Sequence, residues 1–366
     1  LDLKVSERSA AGENYDYGMF GAPDASHFDV EVGGIEVPTE NLTVSEQDTH
    51  SYAVEAEVPG ERIEKIEDYN VSVAFTDEKA GVSHTVWGSH NLLASVLESM
   101  VGDGTKDHPY WITNATELQA MDADRDAHYE IDGEINASET KEWFGGRGFI
   151  PIGNATGQLY PLSPLDADEK EPFNGTLDGA GDPISNLTID RGDEFSVGLF
   201  AVIGTPGRVE NIVLVDADVT GDERTGSIAG TTLGTVDNVE IESSRVEGVS
   251  GTGGLAGVSS GVIEDSVAKG LVVGGRSDTG GLVGRIYGEP DEVSVNQSYS
   301  TARVIGGAET DDIRGYNGSD TGGLVGYNSR SRIVESLAMG DVSGGTLLGG
   351  LVGYNKDGVV NRSYAR

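Results

Sequence analysis

Cysteine is absent from the 366 residues, which removes disulfides, thiolate metal sites and cysteine nucleophiles. Basic residues are scarce, with 24 Lys and Arg (eight of them Lys) against 62 Asp and Glu, for a net charge of -38. A chain with so little to set against phosphates is not built for nucleic acid. No apolar run approaches the roughly 18 residues a membrane-spanning helix needs, so no transmembrane segment is expected. The chain starts at Leu1 without Met or a leader-like run, which reads as a processed N-terminus.

What is present is acid spread through a sequence that is still 37% apolar. Disordered acidic tails are poorer in apolar residues and carry their charges in blocks. Like charges at this density repel in ordinary buffer, whereas at about 1 M salt the screening length falls to about 3 Å. The composition is that of a folded protein of an extreme halophile. The glycosylation acceptor pattern Asn-x-Ser/Thr occurs at Asn41, Asn70, Asn114, Asn136, Asn154, Asn174, Asn186, Asn296, Asn317 and Asn361, ten of sixteen Asn. That enrichment points to an exported, cell-surface glycoprotein carrying N-linked glycans, and the competing explanation is that Asn-Gly-Thr and Asn-Ala-Thr are turn chemistry.

Two grammars divide the chain. From Phe28 to about Val86 apolar residues alternate with polar ones, as in Phe28-Val30-Val32, Tyr52-Val54-Ala56 and Val71-Val73-Phe75, the pattern of half-buried antiparallel strands. An Ig-like β-sandwich is expected over residues 1–106, closed by a short helix from Asn91 to Val101 that aligns Leu93, Leu97 and Met100. Residues 107–366 form the second domain. It opens with Asn114 as N-cap and Glu117 three residues on, a capping box for a short helix covering the first coil. Then Gly-Gly-Leu-x-Gly recurs at Gly253, Gly280, Gly322 and Gly349, with degenerate copies at Val197 and Gly226. The apolar anchors, Leu199, Ile228, Leu255, Leu282, Leu324 and Leu351, lie 29, 27, 27, 42 and 27 residues apart. A period near 27 with one insertion of about fifteen residues is a stacked array with a loop projecting from one coil. Glycines are expected at the corners, for positive φ and close backbone approach, with Leu and Val pointing inward. Tyr327-Asn328 and Tyr354-Asn355 are 27 apart and should stack in successive coils.

The units at Gly253–Gly257, Gly280–Gly284, Gly322–Gly326 and Gly349–Gly353 resemble the GLUG repeat of secreted adhesin-like surface proteins. The text before them, from Tyr110-Trp111-Ile112-Thr113-Asn114 through Phe173-Asn174-Gly175-Thr176-Leu177-Asp178-Gly179 to Ile184–Ile189, is similar to the lead-in of filamentous-haemagglutinin-like right-handed parallel β-helices. The resemblance covers about residues 109–366 and is of haloarchaeal type. It implies an all-β, extracellular, cell-surface chain used as a filament component or adhesin stalk. A glycan-binding adhesin, a viral fibre and a carbohydrate-active β-helix enzyme are the alternatives.

Candidate chemistry is sparse, and no enzyme is expected. Glu309, Asp311, Asp312 and Arg314 gather in the insertion, as a solvated acidic face or, for Asp311 and Asp312, as calcium ligands. Asp122-Ala123-Asp124-Arg125-Asp126 alternates like a calcium loop but has Ala127 where such a loop needs Gly, and fits a turn after the helix. His84 and His90 lack a third ligand. Arg191-Gly192-Asp193 spells an attachment tripeptide by coincidence. Catalytic residues and organic cofactors are not indicated, with calcium the one ion considered. The alternation Leu1, Leu3, Val5 is either the first strand of the sandwich or a strand donated to a neighbour in self-assembly. The last repeat stops at Arg366 without a closing cap.

Overall fold

The computed structural model describes residues 24–32, 35–48, 51–56, 68–77, 82–153, 172–289, 292–307 and 320–366. The chain divides into two compact units, residues 1–96 with 143–145 and residues 97–142 with 146–366.

In the first unit the alternating stretches are antiparallel strands. Ile35–Val37, Phe28–Val32, Asp68–Asp77 and Val82–Asn91 make a four-stranded sheet in that order, and Leu42–Asp48 pairs with Ser51–Ala56 as a separate hairpin. Val30, Val37, Leu42 and Val54 are buried, as period-two patterning requires. The expected helix is α1, Leu92–Ser99, which the division between the units cuts after Val96; Leu93 and Leu97 are buried on it and Met100 just after it.

The second unit is a solenoid of parallel strands in three walls. Wall I stacks Tyr110–Ile112, His128–Ile131, Thr176–Asp178, Arg208–Glu210, Thr235–Asp237, Val262–Glu264, Ser294–Asn296, Arg332–Val334 and Val359–Asn361. Wall II runs from Ile135–Asn136 through the long strands Glu240–Gly253 and Val267–Gly280 to Tyr364–Ala365. Wall III stacks Phe200–Ile203, Ala229–Thr232, Ala256–Ser259, Val283–Tyr287, Val325–Ser329 and Val352–Lys356. Each coil passes III, I, II and returns. Successive coils pair in register, as where Val236 meets Val209 on one side and Ile263 on the other.

The anchors behave as the repeat predicts: Leu199, Ile228, Leu255, Leu282 and Leu324 are fully buried. So are Leu177, Val209, Val236, Ile263, Val295 and Ile333, one per coil of wall I. Filling an interior of this kind stabilises by about 1.5–3 kcal/mol per aliphatic side chain. The aromatic stack Tyr129, Phe173, Phe200 fills its early coils, with Phe173 and Phe200 centroids 4.8 Å apart.

Two expectations need correction. The motif glycines do stand at the bends between walls II and III, as at Gly254 and Gly281, but without positive φ. A Cβ on Gly280 would fall 2.0 Å from the Val283 carbonyl oxygen, and one on Gly281 2.2 Å from the Gly323 oxygen of the next coil. They are required by backbone approach, not by positive φ. The two-residue corners between walls I and II each hold a non-glycine residue in the left-handed region: Asn211 (φ 56°), Asn238 (φ 52°), Asp265 (φ 48°), Gln297 (φ 46°), Glu335 (φ 50°) and Arg362 (φ 49°). Asn and Asp tolerate that conformation because their short side chains bond locally. Nor is the insertion one loop. Val262 pairs with Ser294, 32 residues on, while Thr279 pairs with Thr321, 42 residues on. The first extra residues therefore enter between walls III and I, and the rest enter before Asp320.

The opening helix is α2, Ala115–Ala120, with Leu118 and Met121 fully buried. Asn114 Oδ1 accepts from Glu117 N at 2.9 Å, as expected of the N-cap. The return half of the box is displaced by one residue, because Glu117 Oε2 accepts from Thr113 N at 2.7 Å. Gln119, 1% exposed, donates to the Ile150 carbonyl at 3.0 Å and accepts from Ile150 N at 2.9 Å, so its amide serves as a strand edge.

Candidate functional site

Outward-facing columns of the walls carry the charge. In wall I, Glu130, Asp178, Glu210, Asp237 and Glu264 are aligned in five successive coils. Strands of a sheet lie about 4.7–4.9 Å apart, so stacked acids repel unless a cation intervenes. Arg208 bonds Glu210 at 2.6 Å and Asp237 at 2.5 Å. Lys269 likewise bridges Glu240 and Glu242, and Arg147 bridges Asp193 and Glu194. Three of the scarce basic residues thus serve as double clamps between acids, while others, such as Arg125 on Asp122, pair with one.

Among the described sequon positions of the solenoid, Asn136, Asn296 and Asn361 end strands and Asn186 stands at a corner with φ 60°. Asn114, Asn136, Asn186 and Asn361 are exposed, and Asn41, Asn174 and Asn296 are half-buried. Asn70 stands in an antiparallel strand. Asn154 and Asn317 lie outside the described residues, as do Leu1, Leu3, Val5, Glu309, Asp311, Asp312 and Arg314. Asn186 Nδ2 donates to Asn136 Oδ1 at 3.2 Å, so these two sit side by side on adjacent coils.

Between walls I and II the inward corner column changes chemistry along the axis. Ile212 and Val239 occupy it first, then Ser266, Ser298, Ser336 and Ser363. Each backbone N–H donates to the hydroxyl of the next coil: Val239 N to Ser266 at 3.3 Å, Ser266 N to Ser298 at 3.1 Å, Ser298 N to Ser336 at 3.3 Å and Ser336 N to Ser363 at 3.0 Å. Each hydroxyl donates back to its own coil, as from Ser298 to the Asn296 carbonyl at 2.6 Å. Ser266, Ser298 and Ser336 are at most 1% exposed. Sequence reasoning missed this ladder, although a Ser recurs two residues after each strand of wall I from Val262–Glu264 onward.

A second buried polar element was also missed. Asp278-Thr279-Gly280-Gly281-Leu282 returns as Asp320-Thr321-Gly322-Gly323-Leu324, and Asp278 and Asp320 are 3% and 7% exposed. Arg285 Nε donates to Asp278 Oδ2 at 2.6 Å, and its Nη2 contacts the same oxygen. Burial pushes the Asp278 carboxyl up to about 6 against the pull of Arg285, and the neighbouring Asp320 adds to the rise. Asp320 Oδ1 is buried without a hydrogen-bond partner.

The remaining expected sites are structural. Asp122 Oδ1 accepts from Arg125 Nε and Gly153 N, both at 2.8 Å, as a turn would. Among the described residues no group of three or more His, Cys, Asp or Glu gathers to hold a metal, and no helix is long and apolar enough to cross a membrane. Arg191 is 6% exposed and is held by the Phe149 carbonyl at 2.9 Å and by Glu194 at 2.8 Å, so the Arg-Gly-Asp string presents no free Arg. Tyr327 stacks on Tyr354 with centroids 5.5 Å apart, and Asn328 Nδ2 donates to Asn355 Oδ1 at 2.7 Å, the ladder the 27-residue spacing predicts.

No protein-family model matches the chain. Over 136 residues it is 45% identical to halomucin of Haloquadratum walsbyi, a match covering 36% of this chain and 1% of that protein. It is 32% identical over 121 residues to a candidate Gly-rich membrane protein of Evansella cellulosilytica, covering 32% of this chain and 12% of the other. The chain therefore matches only a small part of these relatives' own length. Among solved structures, a candidate immunoglobulin A1 protease from Bacteroides ovatus superposes with a TM-score of 0.50 at 19% identity, covering 72% of this chain and 77% of that one. That likeness concerns the fold alone.

Proposed function

We propose that the chain is a non-enzymatic, N-glycosylated surface protein of a halophilic archaeon, in which a right-handed GLUG-type β-helix over residues 107–366 is the rod or stalk of a filament or adhesin. Residues 1–106 are an Ig-like sandwich of their own. The observation that carries this function is the placement of six sequon asparagines, exposed or half-buried, in a parallel solenoid with stacked outward acids. A stack of coils joined in register has the repetitive, closed interior of a spacer. The similarity to halomucin, in a haloarchaeon, agrees with an extracellular location in strong brine. Leu1, Leu3 and Val5 form either the first strand of that sandwich or a strand donated in self-assembly, and calcium at Asp311 and Asp312 is the one metal to test.

Glycopeptide mass spectrometry of the protein secreted by a haloarchaeal host tests the glycoprotein assignment, and bare asparagine at all ten sequons overturns it. Turnover of an acidic polysaccharide in 3 M KCl, lost in Asp311→Ala or Asp312→Ala, overturns the non-enzymatic one. Filaments unchanged by deletion of residues 1–6, seen by electron microscopy, remove strand donation.

A further inference from the structure

The sequons at Asn136 and Asn296 are alike in sequence and opposite in geometry. An acceptor must offer both its side-chain amide and the hydroxyl two residues on, which is why the pattern requires Ser or Thr there. At Asn136 both are exposed, and Asn136 Oδ1 accepts from Ser138 N at 3.1 Å, turning the two side chains toward solvent together. At Asn296 the hydroxyl belongs to Ser298, which is 1% exposed. It donates to the Asn296 carbonyl at 2.6 Å and accepts from Ser266 N at 3.1 Å, while Ser298 N donates to Ser336 at 3.3 Å. The flanking strand Tyr299–Ser300 is paired on both sides, to Val267–Ala268 and to Leu337–Ala338. Presenting Ser298 means opening the ladder toward both neighbours.

The serine is there for the coil. At the four aligned corners the sequence reads Glu264-Asp265-Ser266, Asn296-Gln297-Ser298, Val334-Glu335-Ser336 and Asn361-Arg362-Ser363. Ser is constant whether or not Asn precedes it, because the inward column demands it. The residue two before faces out and varies. Asn296 itself is half-buried, with Nδ2 donating to Ser294 Oγ at 3.1 Å, so a sugar already attached there would lie on the outside of the closed coil.

We infer that Asn296 accepts a glycan only while its coil is open, before folding, whereas Asn136 remains an acceptor in the folded protein. This rests on the sequons being used at all. Transfer forms a bond between Asn Nδ2 and C1 of a lipid-linked oligosaccharide, breaks the C1–O bond to the lipid phosphate, which leaves with the electron pair, and releases one amide proton. A glycan on Asn296 then records that modification ran ahead of coil closure.

The test uses the full chain, made without glycans and folded in 3 M KCl, incubated with haloarchaeal membranes that carry the transferase and its lipid-linked donor. Peptides spanning residues 130–142 and 290–302 serve as open acceptors, and occupancy is read by glycopeptide mass spectrometry. Expected are modification of both peptides, modification of Asn136 in the folded chain, and occupancy of Asn296 at least tenfold below that of its peptide. Leu337→Pro, which breaks the strand under Tyr299, should raise Asn296 occupancy severalfold. Asn296 in the folded chain modified as readily as its peptide would overturn the inference. Failure of both peptides removes the glycoprotein assignment and the inference with it.

Discussion

Asn328 donates its side-chain amide to Asn355 Oδ1 of the next coil at 2.7 Å, yet its own Oδ1 is buried with no partner. The two residues occupy one column and differ in surroundings: Asn328 is fully buried, while Asn355 is exposed. An uncompensated charge is costly in the first place and cheap in the second. Asn328→Asp should therefore destabilise by about 3 kcal/mol or more, and Asn355→Asp by less than about 1 kcal/mol, since it still accepts the Asn328 amide. Chemical denaturation in 3 M KCl separates them, and equal losses would contradict the assignment of Asn328 to the interior.

The motif glycines should fail by collision. Gly280→Ala puts a methyl against backbone atoms at 2.0 and 2.7 Å, which a parallel stack cannot relieve without moving two coils, and a loss above about 3 kcal/mol is expected. Gly192 has nothing nearer than Thr220 Cγ2 at 3.6 Å. Gly192→Ala should leave stability within about 0.5 kcal/mol, or raise it slightly through the unfolded chain.

Asp278 predicts a pH dependence whose sign runs against that of carboxylates stabilised by ion pairs or hydrogen bonds in the folded state. Its folded pKa of about 6 lies above the ordinary 3.8. Between these values the folded state binds more protons than the unfolded chain, so stability is greatest below about 4 and is lost as pH rises toward 6. Asp278→Asn should remove that part of the slope, measured as the difference in Tm between the two proteins from pH 4 to 7. A variant that falls in parallel with the parent would rule it out.

Salt should act through charge. Removing the clamp by Lys269→Gln exposes Glu240 and Glu242 to each other, and at low salt this should lower Tm. In 3 M KCl, with screening over about 3 Å or less, the same substitution should have almost no effect. Circular dichroism melts at 0.3 and 3 M KCl give the comparison.

The coil length and its inward anchors were legible because burial imposes a strict period: Leu255 and Leu282 had to recur wherever a coil closed. So was the ladder of Tyr327 over Tyr354, which needs only equal spacing. The corners were not, because a left-handed residue such as Gln297 or Arg362 leaves no compositional trace when tertiary pairing enforces it. Asp278 and Ser298 were hidden for a related reason. Their importance comes from what the neighbouring coil places beside them, and a hydrophilic residue in a polar sequence looks like surface. The sequons were plain to read, but their inequality lies in whether Ser138 or Ser298 faces water.

The column Glu130, Asp178, Glu210, Asp237, Glu264 has a further consequence. Two unit charges in water interact by about RT at a separation near 7 Å, and these carboxylates stand on strands about 4.8 Å apart. Beyond the two that Arg208 clamps, such a file behaves as a short polyelectrolyte and draws a condensed layer of cations from brine, as a nucleic-acid backbone does. In concentrated salt such a file would keep its cations diffuse and hydrated rather than seated, with the coil repeat setting the spacing of the charges they meet.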